Sequence, residues 1–139
     1  EWDYSGARIG GLVGRVYKTG AALVLEDSLS AGKITSANMY YTGSVLGASL
    51  ANTSLNTTNT FGSMGTYDVA IGRSGSAGII NSAPLELKEE SLIGKKGYQW
   101  TNLDFDKYWA VVKNGTPVLK SFAKESTERK NIVAEITIY

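Results

Sequence analysis

Gly10-Gly11-Leu12-Val13-Gly14 is echoed by Gly43-Ser44-Val45-Leu46-Gly47 at an interval of 33 residues. Ser30-Ala31-Gly32 and Ser63-Met64-Gly65 stand at the same interval, so two separate elements share one offset. Val69-Ala70-Ile71-Gly72 and Ser91-Leu92-Ile93-Gly94 read as later copies, with the closing glycine moving from 47 to 72 to 94. A recurring unit whose interval drifts is the pattern of stacked repeats with loops of unequal length.

Each copy is a short apolar run bounded by glycine, and runs that short are strands if they are regular at all. Leu23-Val24-Leu25, Ile79-Ile80 and Leu85–Leu87 supply further short strands. Glycine beside them permits sharp corners and close approach of backbones between layers. One such layer cannot bury its apolar face alone, so several must stack. The expected fold is therefore all-β, a right-handed parallel β-helix or solenoid of about four irregular rungs over residues 1–97. Its repeat glycines are Gly10, Gly11, Gly14, Gly43, Gly47, Gly72 and Gly94. An antiparallel β-sandwich is the alternative that the same strands allow.

Composition agrees and excludes much chemistry. The 139 residues include 16 Gly, only 2 Pro, and neither Cys nor His. Fourteen Ser, twelve Thr and eight Asn add to a strand-and-turn composition. Without Cys or His there is no disulfide, no thiol nucleophile, no Ser-His-Asp triad and no His- or Cys-ligated metal. A net charge of +1 gives no electrostatic footprint for nucleic acid or an anionic membrane. No apolar run reaches the roughly 18 residues of a membrane span.

Residues 1–84 carry 10 charges and 13 of the glycines, whereas residues 85–139 carry 17 charges in 55 positions. In the second stretch, Asn114-Gly115 lies between Tyr108-Trp109-Ala110-Val111-Val112 and Thr116-Pro117-Val118-Leu119-Lys120. That dipeptide predicts a hairpin with a type I′ turn. Residues 98–122 are expected to form an aromatic cap closing the open end of the solenoid. Residues 123–131 read as a polar connector. Residues 132–139 read as an amphipathic strand that either returns to this domain or, the favoured reading, begins a following one.

The residues also resemble a known repeat. Ile9-Gly10-Gly11-Leu12-Val13-Gly14 is similar to the core of the GLUG motif, and Asp27–Ile34 resembles its Ser-rich second half. Leu103-Asp104-Phe105-Asp106, Trp109 and Gly115–Lys120 resemble the segment that often closes such repeats. The second copy departs from the motif, with Ser44-Val45-Leu46 in place of Gly-Leu-Val. The resemblance implies a non-catalytic module of a secreted or cell-surface bacterial protein. Such repeats occur in adhesin-like proteins and in the non-catalytic regions of IgA-cleaving metallopeptidases. It supplies no catalytic residues, and from the residues themselves no cofactor or metal is expected. Partners would be a host or cell-surface glycan or protein, and neighbouring domains of a larger chain. Asn52, Asn56 and Asn114 head N-x-S/T sequences, which in a bacterial protein are incidental.

Candidate sites are few. Tyr98, Trp100, Tyr108 and Trp109 form either a sugar- or peptide-stacking platform or simply the core of the cap. Asp104 and Asp106, two apart, face one side if they lie on a strand. They read as solvated positions rather than as an acid–base or calcium pair. Residues 52–60, nearly all Asn, Thr and Ser, allow an adhesive loop, an outward ladder or a flexible insertion, and the uneven intervals favour the insertion. The expected role is adhesion or rigid spacing without catalysis. A carbohydrate- or peptide-binding module is the alternative, and a glycan-active enzyme using the carboxylates is the least favoured.

Overall fold

The computed structural model describes residues 7–35, 41–49, 52–65, 67–72 and 79–121. The expected connector at 123–131 and terminal strand at 132–139 lie outside the described residues. The chain divides into two compact units, Glu1–Leu87 and Lys88–Tyr139. The division falls at 87/88, beside the change in charge density, rather than at 97/98, which lies within a helix.

Among its described residues the first unit has eight strands: β1 (Ile9–Gly10), β2 (Val13–Val16), β3 (Ala22–Ser30), β4 (Thr42–Gly43), β5 (Leu46–Ser49), β6 (Ser54–Ser63), β7 (Ile79–Ile80) and β8 (Leu85–Leu87). Its pairings are all parallel. β1 pairs with β4, β2 with β5 and β3 with β6, while β7 and β8 pair with the far edge of β6. A parallel bridge joins Leu46 to Ile71. Three successive passes of the chain thus lie side by side: β1, β2 and β3 against β4, β5 and β6, and these against Ile71, β7 and β8. No antiparallel pair of the kind a β-sandwich needs occurs among the described residues of this unit.

The register reproduces the interval in the sequence. Gly10 pairs with Gly43 and Val13 with Leu46, 33 residues on. On β3 and β6 the interval falls to 32, so Ser30 pairs with Gly62 and not with Ser63. One residue fewer separates β5 from β6 than separates β2 from β3.

Glycine is required here because backbone lies directly on backbone. A Cβ at Gly43 would stand 2.6 Å from the Gly72 nitrogen and 2.7 Å from the Ala70 oxygen. At Gly47 it would stand 2.7 Å from the Ile9 backbone, and at Gly72, 2.9 Å from the Thr42 backbone. These contacts repeat from pass to pass. Gly47 meets Ile9 and Gly14, and Gly72 meets the equivalent Thr42 and Gly47. The hydrogen bonds repeat as well. Val45 O accepts from Leu12 and Val13, and Ala70 O accepts from Val45 and Leu46.

Val45, Leu46, Ala48, Leu55, Phe61 and Ala70 form the apolar core of this unit. Thr and Ser share it: Thr42, Ser44, Thr60 and Ser63 are buried. Thr60 resolves its hydroxyl by donating to Leu25 O at 3.0 Å. Small residues exchange places across the core. Gly11 faces Ser30 on the first pass, whereas Ser44 faces Gly62 on the second. A Cβ at either glycine would collide with the opposing serine hydroxyl, so each pair holds one Ser and one Gly in opposite order.

Residues 54–63 correct the expectation of a flexible insertion. They form β6, the longest strand, paired on both edges. Threonine's branched Cβ suits a strand, and the polar side chains bond along the stack. Asn81 Nδ2 donates to Asn56 Oδ1 at 3.0 Å, and Ser82 Oγ donates to Thr57 O at 3.0 Å.

The second unit holds a 3-10 turn at Glu89–Ser91, helix α1 (Lys95–Trp100), and strands β9 (Trp109–Ala110) and β10 (Val118–Leu119). Two sequence expectations change here. Ser91–Gly94 is not a strand copy: Gly94, at φ 63°, opens α1, and its N–H donates to Gly115 O. Tyr98–Trp100, which the expected capping hairpin over 98–122 includes, are helical. A six-residue helix is marginal alone, and this one is held by packing. A Cβ at Gly97 would stand 2.6 Å from Leu92 O and 2.8 Å from Pro117 Cγ. Thr101 Oγ1 donates to Gly97 O at 2.7 Å.

Candidate functional site

The expected hairpin forms, but with a longer connection. β9 and β10 pair antiparallel, with Ala110 opposite Val118 and Trp109 opposite Leu119. Residues 111–117 make the loop. Gly115 N donates to Val112 O, placing Lys113-Asn114 at the centre of the turn and Gly115 fourth. Neither Asn114 nor Gly115 has positive φ, so the turn is not type I′. Glycine in fourth place is the preference of a type I turn.

Asp104 and Asp106 do not lie on a strand. Asp104 organises the turn before β9: its Oδ1 accepts from Lys107 N at 2.9 Å, and its carbonyl accepts from Tyr108 N and Trp109 N. This is the local side-chain capping that Asp supplies in turns. Asp106 offers its carbonyl to Lys120 Nζ at 2.8 Å.

These bonds shape a half-open cleft of about 480 Å³ lined by Lys95, Tyr98, Phe105, Asp106, Trp109 and Lys120, among others. Small-ligand pockets span roughly 300–1,000 Å³. The Tyr98 and Phe105 rings meet at 5.2 Å and 52°, a tilted contact. The same two rings also line a second recess of about 360 Å³, together with Thr101, Asn102, Asp104 and Asp106 among others.

The four aromatic candidates divide. Tyr98 and Trp109 line the larger cleft; Trp100 and Tyr108 line neither. Trp109 is 7% exposed and belongs to the core with Leu92, Leu103 and Ala110, whereas Tyr98 is 59% exposed and offers its ring to solvent. Lys95 and Gln99 belong to no motif in the sequence, and Phe105 and Lys120 stand there only within the segment that resembles the close of the repeats. The spacing of Lys95, Tyr98 and Gln99 groups them on one face of α1.

No protein-family model matches this chain, and no curated protein or solved structure shows significant similarity to it. Among the described residues no three His, Cys, Asp or Glu side chains gather into a metal-binding group. None of the described helices is long and apolar enough to cross a membrane.

In the first unit two half-buried arginines lie on tyrosines. Arg8 stands over the Tyr41 ring at 4.7 Å and Arg15 over Tyr17 at 4.4 Å. Arg8 and Tyr41 are again 33 apart, so this cation–π contact links successive passes.

Proposed function

We propose that the chain is a non-catalytic repeat module, its first unit a short parallel β-solenoid, from a secreted or cell-surface bacterial protein, serving adhesion or rigid spacing. One observation carries this reading: the same backbone contacts at Gly10/Gly47 and Gly43/Gly72 recur from one pass to the next. Such repetition suits a stiff element whose stability comes from contacts between neighbouring repeats. The likeness of residues 9–14 to the GLUG core supplies the bacterial surface setting. The test is labelling of intact cells of the source bacterium with antibody against the chain, beside adhesion of chain-coated beads to host cells. Surface labelling is expected. Labelling only after lysis would overturn the reading.

A second reading is supported by the cleft in the second unit, where an exposed tyrosine face meets charged and amide groups. On this reading the chain binds carbohydrate or peptide. Glycan binding by the full chain that is lost on Tyr98→Ala, with the circular dichroism spectrum unchanged, would establish it. Retained binding in Tyr98→Ala would remove the cleft from consideration.

A further inference from the structure

Resting on the binding reading of the cleft, we propose that it takes an acidic oligosaccharide, a carboxylated sugar followed by a neutral one. Charge is unevenly distributed about the Tyr98–Phe105 pair. Lys95 and Lys120 line the larger recess, where Asp106 is the one acidic residue of the lining. The smaller recess carries Asp104 and Asp106 with Asn102 and Thr101, and no cation. Tyr98, Phe105 and Asp106 line both, so the two recesses adjoin and can take neighbouring units of one ligand.

Each part selects a chemistry. A sugar's apolar C–H face stacks on an exposed aromatic ring, which Tyr98 provides. Two lysines draw an anionic group and favour a carboxylate near the α1 side. Lys120 is anchored by its bond to the Asp106 carbonyl, which holds its charge at the rim and lowers the entropy lost on binding. The carboxylates and amide of the smaller recess accept and donate hydrogen bonds to neutral hydroxyls, and they repel a second anion. The site thereby distinguishes an acidic sugar next to a neutral one from a run of anions.

The experiment is calorimetric titration of the full chain with three probes: an alternating uronate-containing tetrasaccharide, its methyl ester, and a poly-glutamate peptide of similar charge. The acid sugar is expected to bind, and to weaken with added salt as a partly exposed ion pair must. The ester and Lys95→Gln/Lys120→Gln are each expected to bind about tenfold more weakly or worse, a loss of about 1.4 kcal/mol. Equal binding of acid and ester would overturn the acidic-sugar inference while leaving a carbohydrate site in place. Peptide binding as tight as the sugar's would overturn it in favour of a peptide. No binding of any probe would overturn both the inference and the reading beneath it. Tyr98→Phe, which keeps the stacking face, is expected to bind where Tyr98→Ala does not.

Discussion

Asp27 and Asn59 stand 32 residues apart in the chain and one above the other in the stack, Asn59 Nδ2 donating to Asp27 Oδ1 at 3.0 Å. Both are left-handed, at φ 45° and 46°, at the one point where the β3–β6 ladder is interrupted. The two strands bend at the same place, in the conformation that Asn and Asp tolerate best among residues with a Cβ.

Replacing Asn59 by alanine keeps the left-handed strain and removes the bond, and is expected to cost about 1–3 kcal/mol. Asn59→Gly loses the bond but relieves the strain, so it should cost less. Urea unfolding of both variants decides this. An alanine variant as stable as the glycine one would show that the bend is not held by this conformation.

Glycines differ sharply in what they permit. Gly47→Ala and Gly72→Ala drive a methyl into backbone of the neighbouring pass, which cannot move aside as a flexible side chain could. Each is expected to cost about 3 kcal/mol or more, at the upper end of overpacking. Gly32 has open space around it and no positive φ. Gly32→Ala should therefore be neutral, or stabilising by up to about 1 kcal/mol through the unfolded chain. Thermal melts of the three variants give the comparison.

Ser44 is buried, and its hydroxyl has no hydrogen-bond partner among the described residues. Ser44→Ala should leave stability unchanged or raise it by about 1 kcal/mol, since an unsatisfied buried hydroxyl carries a desolvation cost. A loss of more than about 1 kcal/mol would mean that the hydroxyl is bonded after all.

The inverted Ser and Gly pairs allow a double-mutant cycle. Gly62→Ser alone should destabilise by about 1–3 kcal/mol, because its Cβ meets the Ser44 hydroxyl. Adding Ser44→Gly recreates the order found at Gly11 and Ser30, and should recover most of the loss. Additive losses in the double variant would show that the two positions do not share their space.

The first unit was legible in its sequence to the extent that backbone contacts dictate it. Gly10, Gly43, Gly47 and Gly72 announce themselves because no other residue fits, and their interval is the register of the ladder. At residues 52–60 the uneven intervals favour an insertion over an outward ladder, although Thr and Asn side chains bond along a stack as readily as to water. Ser30 paired one residue away from its expected partner because the shortening lies in the connection before β6, where no motif marks it. The second unit was harder to read. α1 is six residues long and stabilised by Pro117, Leu92 and Thr101 rather than by its own propensity. Lys95 and Lys120 meet at the cleft from elements distant in sequence, and nothing local to either points to the other.

The equivalence of Gly47 and Gly72, reached after 25 residues where 33 separate Gly14 from Gly47, has an evolutionary consequence. Only the points where one pass rests on the next are constrained; the length between them is free. A lineage could lengthen or trim its connections and rewrite almost every other side chain while keeping the same joints. Such a chain drifts beyond recognition by sequence long before it loses its architecture.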